Sequence, residues 1–173
     1  MADSPAFDLR IARYGPTLGA ALLCVAILTL LRHPTAWKAL QSDPGLLQSG
    51  VDELLRYESP IQTFGRQAQE DVVLGGNRIR RGQTALVLVG AVNRDPAKFP
   101  DPDRVDLARR DNHHLAFSHG IHACLGQGLS RLEGQVALET LVRRFPSLRL
   151  GDGPLVWRDD FAIRALDSLP VLW

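Results

Sequence analysis

The stretch FSHGIHACLG at 117–126 sets one cysteine, Cys124, between two glycines and directly before a run with helical spacing. A cysteine that is to hold a metal must act as a thiolate. A place just ahead of a helix helps, because exposed N–H groups and the positive end of the helix dipole both lower a thiol pKa. Gly120 and Gly126 let the chain turn sharply and let a flat or bulky group come close. One soft ligand beneath a large planar cofactor fits this pattern. Two other readings stand beside it: an inert buried thiol, or a zinc site drawn from His113, His114, His119, His122 and Cys124, although that spacing matches no standard finger pattern.

Outward from this loop the chain is ordinary in composition. Its 173 residues are 45% hydrophobic and 23% charged, with a formal charge of +1, which describes one globular domain. A chain of this length buries roughly 70% of its extended surface, so it needs neither disulfides nor structural metal for a core. Twenty basic against nineteen acidic residues create no net field for a phosphate backbone, so no nucleic-acid partner is expected. The two cysteines, Cys24 and Cys124, lie in contrasting surroundings and form no disulfide framework, which suits a reducing, cytoplasmic setting.

The run LGAALLCVAILTLL at 18–31 is too short for the roughly 17 to 25 apolar residues of a bilayer span. It reads as a central helix covered on most sides, and no membrane partner is expected. A signal or interfacial segment is the competing reading, but RHPTAW after the run offers no small-residue cleavage site. Residues 34–42 form a short helix with Pro34 at its start, interrupted by Asp43-Pro44, and LLQSGVDELLRY at 46–57 forms another. Segments 71–74 and 78–80 flank Gly75-Gly76-Asn77 as a hairpin, and 84–92 reads as a strand. Residues 93–112 are a meander rich in Pro and Asp. The helix after Cys124 is expected to bury Leu125, Leu129, Leu132, Val136, Leu141 and Phe145, and 148–173 reads as an antiparallel strand pair.

FSHGIHACLG resembles the FxxGxHxCxG haem-binding loop of the cytochrome P450 family. Glu53-Leu54-Leu55-Arg56 is similar to that family's ExxR motif, and FPDPDR at 99–104 resembles its meander. LLRHP at 30–34, ELLRYESP at 53–60 and NRDPAKFPDPDR at 93–104 look like bacterial soluble members. The resemblance covers 15–173 and leaves 1–14 unmatched. It implies a mainly α fold with a small antiparallel β part, the C-terminal portion of the cytochrome P450 fold. It also implies a monooxygenase that uses haem b (iron protoporphyrin IX), O₂ and a ferredoxin or flavoprotein reductase as electron donor to oxidise a small organic substrate.

Residue by residue, the resemblance makes Cys124 the catalytic residue and the axial ligand of haem iron, a thiolate that favours O–O cleavage. Phe117 then lies against the porphyrin near the sulfur, Gly126 follows it closely, and His122 and Arg66 hold propionates. Glu53, Arg56 and Arg104 form a buried charge network that fixes the meander. Residues 61–64 (IQTF) and Phe161-Ala162-Ile163 resemble segments that line the substrate pocket. Arg109, Arg110 and Arg131 are candidates to meet an acidic electron donor, against the alternative of a solvated charged face.

Complete members are more than twice this length, so the resemblance implies a C-terminal portion of a longer, truncated or frame-altered gene product. The acid–alcohol pair that handles proton delivery aligns with Thr17 and Leu18, and Leu18 has no hydroxyl. A haem-binding fragment without turnover, or half of a split enzyme, is therefore the alternative function. With half of the fold absent, apolar surface on the 18–31 helix should be exposed, and self-association is expected.

Overall fold

The computed structural model describes residues 6–10 and 18–173, with side chains from Gly19 onward. The Thr17 assignment and most of the 1–14 segment lie outside the described residues. The expected helix-plus-small-sheet architecture is found. Strand β1 (Ala6–Arg10) is followed by helices α1 (Leu18–Arg32), α2 (Pro34–Ser42) and α3 (Leu47–Tyr57). Strands β2 (Thr63–Gln67), β3 (Val72–Leu74), β4 (Asn77–Ile79) and β5 (Thr84–Leu88) come next, then the single-turn α4 (Val89–Val92). After the irregular meander come α5 (Gln127–Arg144) and strands β6 (Arg149–Leu150), β7 (Val156–Trp157) and β8 (Leu166–Leu172).

Helix α1 is the centre of the molecule. Ala21, Leu22, Cys24, Val25, Ala26, Ile27, Leu28 and Leu30 are all buried and Leu23 and Leu31 half-buried, so among the described side chains of this helix the broad apolar exposure that was expected does not occur. Its polar residue Thr29 is satisfied by donating its hydroxyl to the Val25 carbonyl at 2.7 Å. Burial pushes the Cys24 thiol up to about 11, which leaves it a neutral packing group. At His33 the chain bends by 102° into α2, and among the described residues no single helix is long and apolar enough to cross a membrane.

Helix α5 packs on α1 and α3, but through a different stripe from the one its sequence suggests. Gly134 and Leu138 face inward, while Leu125, Leu129, Leu132 and Val136 are exposed. The cause is at Gly134, where an added Cβ would sit 3.1 Å from Val51 of α3. Absence of a side chain there lets the two helices approach closely. Leu141 and Phe145 are half-buried against the core, as expected.

The 84–92 strand also shortens, ending at Leu88. Val89 donates its N–H to the Gln62 carbonyl and accepts from Asn93, which winds the chain into α4. β2 pairs antiparallel with β5, and β3 with β4 across Gly75 and Gly76, both at positive φ as a tight hairpin turn demands. The tail forms three strands rather than a pair: β8 takes β6 and β7 as antiparallel partners and also β1, from Ala6 opposite Leu172 to Arg10 opposite Ser168.

Candidate functional site

The cysteine loop is shaped by two left-handed residues, Ser118 (φ 61°) and Gly120 (φ 65°). A serine in this region costs of order 1 kcal/mol or more, and its surroundings must hold it there. Ser118 donates its N–H to the Leu115 carbonyl, and Arg66 of β2 donates to its hydroxyl at 2.9 Å. Cys124 donates its N–H back to the Phe117 carbonyl at 2.9 Å, closing the loop, and its own carbonyl accepts from Gln127 at the first turn of α5. Gly126 has φ −83°, which any residue adopts, and an added Cβ would lie 3.8 Å from the Cys124 sulfur. What it contributes is open space beside the sulfur, not a special backbone conformation.

A cavity of about 190 Å³ adjoins this loop. Leu22 of α1, Leu55 of α3, Ile61, Phe64, Phe117 and Cys124 give it an apolar lining, and Ser118 and the exposed His122 supply polar groups. Arg66 reaches the same place through Ser118 and lies over the Phe64 ring, 4.3 Å from its centroid. The structure therefore brings together Cys124, Phe117 and His122, with Arg66 bonded at their edge. On either side of Cys124, Ile121 and Leu125 stand fully in the open, 97% and 103% exposed. A soft sulfur donor, an apolar floor and two basic side chains near it fit a planar, metal-bearing group with acidic substituents.

Zinc fits poorly. Among the described residues no three His, Cys, Asp or Glu side chains converge as metal ligands. His114 is buried on Asp52, and His113 lies exposed beside Asp111. One thiolate does not supply the four ligands of a structural zinc site, so a metal held here must arrive with its other ligands already in place.

Behind the loop lies the charge network, with one member changed. Glu53 and Arg56 are both completely buried on α3. Arg56 uses all five donors, two on Glu53 at 2.8 and 2.9 Å and one each on the carbonyls of Asn93, Pro102 and Arg104. The second arginine on Glu53 is Arg109, at 3.0 Å, and not Arg104, whose side chain is exposed and whose carbonyl alone takes part. The meander turns so that Arg109 comes back over α3. There it also donates to the carbonyls of Pro100 and Asp101. The Asp106 N–H and the Asn112 amide complete the carboxylate's partners.

Of the three arginines considered for an electron donor, Arg109 is thus committed to Glu53 and Arg131 to Asp52, while Arg110 is exposed. Segments 61–64 and 161–163 do meet: Ile61 bridges Ile163, and the Gln62 N–H donates to the Ala162 carbonyl at 2.8 Å. Phe161 remains 75% exposed. Sequence reasoning passed over Asn93, which is fully buried. Its amide donates to Ser59 and accepts from the Leu115 N–H, both at 2.7 Å, tying α3, the meander and the cysteine loop together. Nothing in the phrase NRDP sets it apart from an ordinary turn residue.

Comparison with known proteins gives a family match and close relatives. The cytochrome P450 family model matches residues 32–154. The biotin biosynthesis cytochrome P450 of Bacillus subtilis (strain 168) is 45% identical over 170 residues, 98% of this chain and 42% of that protein. The 6-deoxyerythronolide B hydroxylase of Saccharopolyspora erythraea is 44% identical over 153 residues, 87% of this chain and 38% of that protein. Among solved structures, P450BioI in complex with hexadec-9Z-enoic acid ligated acyl carrier protein superposes with a TM-score of 0.87 at 45% identity, covering 90% of this chain and 40% of that one. CYP109E1 from Bacillus megaterium in complex with testosterone gives 0.88 at 31% identity, covering 92% and 44%. The chain spans about two fifths of the length of these relatives.

Proposed function

Because this chain belongs to the cytochrome P450 family, we propose that it provides the thiolate-bearing part of a haem-dependent monooxygenase. The observation that carries this reading is the Cys124 loop: one soft donor closed back on Phe117, beside an apolar cavity, with Arg66 and His122 near it. Haem b bound there supplies activation of O₂ and the transfer of one oxygen atom to a small organic substrate, with electrons from a ferredoxin or a flavoprotein reductase.

The chain's own residues hold and shield the group. Cys124 would supply the thiolate that holds the iron, Phe117 would keep water from the sulfur, and Arg66 and His122 would offset the group's acidic substituents. Gly126 leaves the sulfur accessible. Ile61, Phe64 and the 161–163 segment border the substrate side. Glu53, Arg56 and Arg109 act on structure only, by pinning the meander to α3. Two free cysteines suit a reducing cytoplasm.

A haem-binding portion without turnover is the second reading, favoured by Leu18 at the position where the family resemblance expects an alcohol. The test is the reduced, carbon-monoxide difference spectrum of the haem-reconstituted chain against Cys124→Ala. A Soret band at the red-shifted thiolate position, lost in the variant, is expected. A histidine-type band in both would overturn the assignment of Cys124. Turnover of a surrogate substrate by the same sample separates the two readings.

A further inference from the structure

Phe117 is packed against two groups that share one carboxylate. His114 is buried with its ring centroid 5.9 Å from that of Phe117, and the Arg131 guanidinium lies 4.7 Å from the Phe117 centroid. Both converge on the same oxygen of Asp52: Arg131 Nε donates to Oδ1 at 2.7 Å, and His114 Nε2 approaches it at 3.2 Å. The histidine's orientation is settled by its other nitrogen. The Ala116 N–H donates to Nδ1 at 3.2 Å, so Nε2 carries the hydrogen and donates to Asp52. Three elements meet here, α3 with Asp52, the loop with His114 and α5 with Arg131, while Gln127 at the start of α5 takes a further bond from Arg131.

Burial alone would raise the Asp52 pKa, but the hydrogen bonds from His114 and Arg131 and the Arg131 charge outweigh it and hold the carboxyl below its ordinary value. The Phe117 carbonyl is in turn the acceptor that fixes the Cys124 N–H. Removing Asp52 therefore releases both groups packed on the ring whose backbone closes the cysteine loop, and leaves the Arg131 cation without its counter-charge.

We propose that Asp52 is a positioning residue for the Cys124 thiolate, acting through His114 and Arg131 on Phe117. The proposal rests on the haem-thiolate reading above. Outer residues of this kind alter metal affinity by about 10- to 100-fold when replaced. Asp52→Ala should weaken haem retention by about tenfold or more and reduce the thiolate-type fraction of the carbon-monoxide complex. Asp52→Asn keeps one acceptor oxygen but loses the charge. It should raise the reduction potential, because an uncompensated Arg131 favours the more negative reduced state. Asp52→Glu should restore part of both.

The haem-reconstituted chain and these three variants are compared by redox titration, by haem dissociation and by the carbon-monoxide spectrum, with far-UV circular dichroism melts alongside. Should Asp52→Ala fail to fold, the potential of Asp52→Asn decides. A wild-type thiolate band with potentials, haem retention and band fractions unchanged in the folded variants overturns the role of Asp52 alone, even if their melting temperatures fall. A wild type without the thiolate band overturns both this role and the function on which it rests.

Discussion

The charge network behind α3 and the cysteine loop in front of α5 are both built around one decisive side chain, yet they are finished to different degrees. Around Glu53 and Arg56 every donor of the guanidinium has an acceptor, both carboxylate oxygens are occupied, and no water reaches either group. Around Cys124 the backbone is fixed, but Ile121, Leu125, Leu129 and Leu132 face the open. All contributors to the first region lie between residues 53 and 112 of this chain, so its desolvation cost is met locally. The second leaves its apolar side chains uncovered among the described residues. A motif can thus be equally legible in both places while only one of them is self-contained.

Removing Arg56 should have the largest effect. Arg56→Ala leaves the Glu53 carboxylate buried without its main partner and should cost about 3 to 5 kcal/mol in urea unfolding. A loss below that of an ordinary surface change would break the contrast between a closed and an open region. Arg109→Ala should follow, at about 1.5 to 3 kcal/mol for a hydrogen bond to a charged group, whereas Arg104→Ala should stay within about 0.5 kcal/mol. The reverse ranking would return the network to the arginine that the sequence suggested.

A smaller effect is expected from Asp52 as pH changes. Its folded pKa lies below the ordinary 3.8, so its contribution is present above that value and is lost as pH falls through it toward the lowered folded value. Urea unfolding across this window should show the stability gap between wild type and Asp52→Asn narrowing on acidification. A gap independent of pH would show that the His114 hydrogen bond and the Arg131 ion pair to Asp52 contribute nothing in the folded chain.

The smallest change in stability belongs to the open face. Leu132→Gln and Val136→Thr should leave urea unfolding within about 0.5 kcal/mol, since both side chains are more than half exposed. They line a groove of about 660 Å³ with Leu23, Ile27 and Leu169, and the double variant should reduce self-association in light scattering. Unchanged scattering would place the association elsewhere.

The sequence announced the cysteine loop, the ExxR pair and the hairpin because each depends on local spacing. Cys124 sits at a loop–helix junction, Glu53 and Arg56 are one helical turn apart, and Gly75-Gly76 fits only a tight turn. It misled where the answer depends on three-dimensional closure. Arg104 and Arg109 lie in the same irregular stretch, and no periodicity tells which of them returns to Glu53. Helix α5 carries two apolar stripes. The pattern identified the outer one, while the inward stripe is marked by a glycine, Gly134, whose value lies in the side chain it lacks. Asp52 and Asn93 had no legible signal, because their partners come from segments 22 to 79 residues away.

Asn93 gives the loop an unusual standing in the exchange of backbone amides with solvent. The Leu115 N–H belongs to no helix or strand, yet it points into a buried amide that also holds Ser59 at the end of α3. It should exchange deuterium only when α3 and the meander open together, as slowly as the core helices. The amides of the β3–β4 hairpin, regular in structure but exposed at every residue except the half-buried Ile79, should exchange by local fraying. Protection in this molecule should therefore follow burial and connection rather than helix or strand.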